Sequence, residues 1–170
     1  LPLDYFEKER IVPTEHDTLF RKQLIHGYVH DPGAAMLGGV GGHAGIFSNA
    51  TDLGSIMQIF LKNGQYAGLT LFNEEIRKDF TRKQYENNRR GAGFDRPRPK
   101  GGGTCDVLAS QTSFGHSGFT GALAWADPEH DIIFVFLSNR VNPDQENWKI
   151  RDMNIRTDIQ HVIYEALDIH

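Results

Sequence analysis

The run Ile132-Ile133-Phe134-Val135-Phe136-Leu137 constrains the fold of this chain more than any other stretch. Side chains of a strand alternate between its two faces, so an unbroken apolar run needs cover on both. This predicts a central strand held between two layers. The stretch just before it, "DPEHD", reads as a turn, because Asp127 can bond its own downstream backbone and Pro128 fixes φ. Upstream, "SFGHSGFTG" and "ALAWAD" are two further strand candidates, which makes an antiparallel meander.

Helical patterns flank this meander. Leu53, Ile56, Met57, Phe60 and Leu61 recur at helical spacing, with Ser48 or Asn49 as cap and Gly64 as the residue that closes the helix. Asn73 caps a shorter helix that places Ile76 and Phe80 on its buried side. Ile155, Ile159, Val162, Ile163 and Ala166 mark a terminal amphipathic helix. Helices, then a meander, then a covering helix define the α+β class, with an antiparallel sheet of about three to four strands. Residues 1–30 hold Pro2 and Pro13 without a sustained period and read as an irregular connector, with a short helix around Leu19 to Ile25. Arg82 to Thr104 reads as a solvated loop with one short strand near Ala92 to Phe94. In it Arg89, Arg90, Arg96, Arg98 and Lys100 stand against Asp95, which suits either a plain surface loop or the border of an anionic ligand.

The totals remove several classes. A net charge of -4 over 170 residues gives no electrostatic case for nucleic acid or an anionic membrane. The single cysteine, Cys105, excludes an internal disulfide. No apolar run is long enough to cross a bilayer as a helix. The length fits one domain or a piece of a larger one, and a start at Leu1 without Met suggests a piece.

Four constellations could carry chemistry. "GGVGGHA" contains Gly39-x-Gly41-x-x-Ala44, the dinucleotide spelling, but no apolar strand precedes it, so a glycine-rich turn is the better reading. His26, His30 and His43 could form a metal face, although Gly27 stands where a zinc-protease pattern needs Glu. Tyr85-Glu86-Asn87 has a spelling used by some serine hydrolases, but lies in the most charged loop. His116 is set among Gly115, Gly118 and Gly121 on a predicted strand. An imidazole there is either a structural core residue or a side chain beside accessible backbone N–H groups that could hold an oxyanion.

"HAGIFSNATDLGSIMQIFLKNG", "FGHSGFTG" and "DPEHDIIFVFLSNR", in that order, resemble the C-terminal half of the serine β-lactamase-like and penicillin-binding superfamily, which includes class C β-lactamases, DD-peptidases and esterases. The resemblance implies the β-lactamase/transpeptidase-like fold, no cofactor or metal, and a single partial domain over 1–170. It also implies that His116-Ser117-Gly118 is the motif of the active-site strand. His116 would then support proton transfer or substrate anchoring, and the Phe119 backbone N–H would form half of an oxyanion hole. Ser117, Gly118 and Thr120 would flank substrate, the glycines letting it lie along the strand edge. The family's Ser-x-x-Lys nucleophile is absent, since none of the serines at 48, 55, 110, 113, 117 and 138 has lysine three residues on. The family's Tyr-x-Asn belongs before "GGHAG", whereas Tyr85 follows it. The chain is therefore expected to be a C-terminal fragment whose partner is the missing N-terminal half, and whose uncovered apolar surface favours self-association. A further likeness, from Lys8 to Leu53, is to β-lactamase-like domains attached to family-3 glycoside hydrolases of the β-N-acetylglucosaminidase type. It implies a periplasmic or envelope setting and cell-wall substrates; the alternative is a non-catalytic accessory module.

Overall fold

The computed structural model describes residues 8–100 and 103–169. Residues 1–7 of the expected connector, with Gly101 and Gly102, lie outside them. In chain order a 3-10 turn at Lys8–Arg10 precedes β1 (Glu15–Asp17), β2 (Gln23–Ile25), α1 (Pro32–Met36) and α2 (Ala50–Leu61). Then come β3 (Gln65–Tyr66), β4 (Leu69–Thr70), α3 (Glu74–Thr81), β5 (Phe114–Ser117) and β6 (Leu123–Asp127). β7 (Ile132–Phe136), α4 (Lys149–Asp152) and α5 (Ile155–Ala166) complete the order. This is the α+β class read from the sequence. The described residues form two compact units. The first gathers residues up to Ser48 with Phe119–Gly121 and Ser138–Asp152; the second gathers Asn49–Gly118, Ala122–Leu137 and residues from Met153 onward.

In the first unit β1 pairs antiparallel with β2, with Glu15 opposite Ile25 and Asp17 opposite Gln23. The short helix expected around Leu19 to Ile25 is not formed. The Asp17 carboxylate accepts the N–H groups of Leu19, Phe20 and Arg21 at 3.0, 2.8 and 2.9 Å, making a turn, and Lys22 ends it at φ +52°. A local carboxylate competing for amides has overridden helical propensity. Arg21 then ties the hairpin together, bonding Asp17 and Glu15 at 2.8 Å each and the Val29 and His30 carbonyls. α1 begins where the Asp31 side chain accepts Ala34 N–H at 2.7 Å, with Pro32 in its first turn. The glycine run after α1 is turn chemistry: Gly45, at φ +112°, sits so close to the Gly39 carbonyl that a side chain has no room.

In the second unit the sheet order is β5-β6-β7, with His116 opposite Ala124 and Trp125 opposite Phe134. β7 is thus an edge strand among the described residues, not the central one its composition predicts. Its two faces are nevertheless both covered. Ile133 packs with Met57, Phe60, Phe114 and Ala126 on the α2 side, while Phe134 and Phe136 pack with Trp125, Cys105 and Tyr164 on the α5 side. The short strand expected near Ala92 to Phe94 reduces to isolated bridges, Arg90 to Asp95 and Asp95 to Gly115.

Asn49, not Ser48, caps α2, its side chain accepting Asp52 N–H at 3.0 Å. At the far end Asn63 and Gly64 both take positive φ, at +56° and +86°, so the closing turn falls one residue earlier than Gly64 alone implies. Asn73 caps α3 as expected, at 2.9 Å from Ile76 N–H. Ile76 and Phe80, however, are 44% and 46% exposed, and Thr81 is the residue α3 buries. In α5 the buried residues are Gln160 and Tyr164, while Ile159 and Val162 face outward. Two polar anchors set this rotation: the Tyr164 hydroxyl donates to Asp127 at 2.7 Å, and Gln160 Oε1 accepts Asp106 N–H at 2.8 Å.

Candidate active site

β5 presents its backbone in two directions. Gly118 N–H donates to Ala122 O at 2.8 Å, whereas Gly115 bonds outward, its carbonyl accepting Asp95 N–H at 2.7 Å and its N–H donating back at 3.2 Å. Antiparallel pairs alternate, so His116 turns its backbone toward β6 and Ser117 turns its own outward. No strand pairs with that outer edge at Ser117 among the described residues. Gly115 has an internal reason to be glycine, because a Cβ there would collide with the Ala124 carbonyl and Trp125. Gly115 is thus required by β6, and Gly121 by φ +110° and the Ser138 hydroxyl beside it, whatever lies along the strand edge.

The His116 side chain is exposed, and its geometry defines its proton. Nδ1 lies 2.8 Å from the Ser117 carbonyl, which can only accept, so Nδ1 carries the hydrogen. Nε2 then offers its lone pair, and Arg90 Nη1 approaches it at 3.4 Å. Arg90 is itself fixed by an ion pair to the buried Asp95 carboxylate, which also holds Arg89. The strand-borne imidazole is therefore a solvent-facing group whose Nε2 lies beside a guanidinium.

Phe119 and Thr120 belong to the first unit. There the Phe119 ring stacks on His30 at 5.2 Å between centroids and meets Trp148 edge-on at 5.5 Å. The Arg140 guanidinium lies 4.3 Å from the Phe119 ring and 3.6 Å from that of Trp148. Arg140 Nε donates to the Phe119 carbonyl at 2.7 Å and its backbone N–H to the Thr120 carbonyl at 2.9 Å. Among the described residues no hydrogen bond engages the Phe119 N–H, so the carbonyl is clamped and the amide is left available.

His116, Ser117 and Gly118 thus lie in one unit and Phe119 and Thr120 in the other. Arg90, His30, Arg140 and Trp148 were not singled out for these positions from sequence; Arg90 stood only among the loop's cations. The three histidines of the metal reading go to separate partners: His26 Nε2 donates to Ile11 O at 2.5 Å, His30 Nε2 lies 3.4 Å from Glu15, and His43 Nε2 lies 2.9 Å from Asp31. No metal-holding group of three or more His, Cys, Asp or Glu occurs among the described residues.

The Beta-lactamase family model matches residues 7–154. The chain belongs to that family. It is 37% identical over 140 residues to a provisionally named D-alanyl-D-alanine carboxypeptidase of Salmonella gallinarum, covering 79% of this chain and 32% of that protein. The counterpart in Salmonella newport is 36% identical over the same length. The chain spans about a third of the length of these relatives, at 32%. A β-lactamase from Mycobacterium bovis has a similar structure, with TM-score 0.58 and 20% identity over 72% of this chain and 46% of that one. At that identity the likeness shows the fold. No helix among the described residues is long and apolar enough to cross a membrane.

Proposed function

We propose that the chain is the C-terminal portion of a serine hydrolase of DD-peptidase or esterase type, acting through an acyl-enzyme. A serine supplied from outside these residues attacks an amide or ester carbonyl. The Phe119 N–H donates to the developing oxyanion, and water then releases the acyl group. His116 anchors substrate or relays a proton through Nε2, while Ser117, Gly118 and Thr120 flank the bound chain. The observation that carries this reading is the His116 tautomer: the Ser117 carbonyl ties down Nδ1–H and leaves Nε2 as an acceptor at an unpaired strand edge. Histidine in place of lysine favours ester or peptide substrates over β-lactams. The likeness from Lys8 to Leu53 supports a parent that carries a β-N-acetylglucosaminidase domain and works on cell-wall material in the periplasm or envelope.

The second reading is a non-catalytic accessory module, which loss of Ser-x-x-Lys from the residues upstream of these would favour. Intact-mass spectrometry of the parent protein after a fluorophosphonate, and separately a penicillin, decides between them. A mass increase on a serine outside these residues is the expected result. An increase on a serine within them overturns the fragment reading, and no increase on either selects the accessory module.

A further inference from the structure

The second unit contains a cavity of about 920 Å³ between α3, the loop after it and the Gln111-Thr112 turn. Its walls reverse the charge of the molecule. Arg77 and Lys78 contribute from α3, Arg82, Lys83, Arg89 and Arg90 from the loop, and Arg96 and Arg98 from the opposite side, with Glu86 as the acid among the lining residues. The chain as a whole carries -4.

Nearby carboxylates cover only part of this charge. Glu74 pairs with Lys78 at 2.8 Å and lies 3.9 Å from Arg77, Asp79 pairs with Arg82 at 3.0 Å, and Asp95 is shared by Arg89 and Arg90. Two cations spend their donors on uncharged oxygens. Lys83 bonds the Glu86 carbonyl at 2.7 Å, and Arg96 bonds the carbonyls of Thr81, Thr112 and Gln111 at 3.1, 2.9 and 2.5 Å. A guanidinium fixed by three backbone carbonyls is positioned but not neutralised. Burial and the neighbouring Arg77 charge both push the Arg96 pKa down, the sign of positive charge without an anion. Arg98 adds another guanidinium at the exposed rim. A concave wall of one sign concentrates counter-charge.

We propose that this cavity binds an organic polyanion of metabolite size carrying two or more phosphate or carboxylate groups. A lone inorganic ion would occupy little of a cavity this large, whereas small-molecule sites commonly span roughly 300–1,000 Å³. Guanidinium forks bind either group in bidentate fashion, so the shared chemistry is the multiply charged oxyanion. The site does not depend on the reaction proposed for His116.

The test is isothermal titration of the chain with pyrophosphate and with citrate at low ionic strength. The titrations are repeated on the double variant Lys83→Gln/Arg98→Gln and on Arg96→Gln, with circular dichroism to verify folding. Lys83 makes a single exposed bond, to the Glu86 carbonyl, and Arg98 lies at the rim, so the double variant perturbs the fold less than Arg96→Gln and keeps the proposal falsifiable if that variant fails to fold. Saturable one-site binding is expected, weakened about tenfold in the double variant and weakened by added salt. Binding of pyrophosphate alone identifies phosphate groups as the ligand chemistry, binding of citrate alone identifies carboxylates, and binding of both supports polyanions generally. No saturation by either probe below about 10 mM, or equal binding by the double variant, overturns the proposal.

Discussion

Asp127 illustrates how much one buried carboxylate can organise. Its oxygens accept Ser110 N–H and Oγ–H at 2.9 and 2.6 Å, His130 Nδ1 at 2.9 Å and the Tyr164 hydroxyl at 2.7 Å. Burial alone would raise its pKa, but the donors outweigh burial and hold it below the ordinary carboxylate value. A depressed carboxyl contributes stability above its unfolded pKa of ~3.9, lost as pH falls through the lower native value. Asp127→Asn should cost roughly 1–3 kcal/mol near neutral pH, read as a lower urea midpoint, and the gap to the parent should narrow at acid pH. A constant gap at both pH values would show that charge is not the cause. Cys105 makes a second test at this scale: burial pushes its thiol up to about 12, so alkylation should occur only on unfolding. Labelling at the native rate of a small free thiol would contradict this. His116 was legible as a candidate because glycines stand on both sides of it. Its tautomer was not, since that depends on a carbonyl placed by the fold. Arg140 was illegible for another reason: it meets Phe119 across 21 positions, beyond any local pattern.

At the scale of elements, the sequence signalled where helices and strands would be better than which faces they would bury. Asn49 and Asn73 marked their helices because capping is a local exchange between one side chain and one amide. The α5 stripe misled, since Tyr164 and Gln160 follow buried polar partners on other elements and draw Ile159 and Val162 outward. β7 misled in a related way: an all-apolar strand requires two covered faces, which it has, but this does not require two neighbouring strands. The β5–β6 approach yields a sharp prediction. Gly115→Ala places a methyl against the Ala124 carbonyl and Trp125 ring, and should destabilise by ~3 kcal/mol or more through backbone displacement. Thermal unfolding checks it, and an unchanged midpoint would mean the two strands can part at little cost.

At the scale of the whole molecule, exposed apolar surface bears on association. Leu19, Met36, Leu37, Val40 and Ile46 are each at least 70% exposed. Exposed apolar side chains in such number favour association. Light scattering of the purified chain should give a mass above one copy, together with ANS fluorescence; a monomeric, ANS-silent sample refutes this. Family membership was readable from three ordered motifs, while the division into two units was not, because each of them draws on three separate stretches of chain. That construction has a consequence for synthesis. Asn139 Nδ2 bonds the carbonyls of Pro13 and Thr14 at 2.6 and 3.0 Å, and Asn142 Nδ2 bonds Pro13 at 3.1 Å. The hairpin near the start of the chain therefore lacks its seam until residues more than 120 positions later have left the ribosome. During that interval its apolar side chains are clients for any chaperone at the exit tunnel.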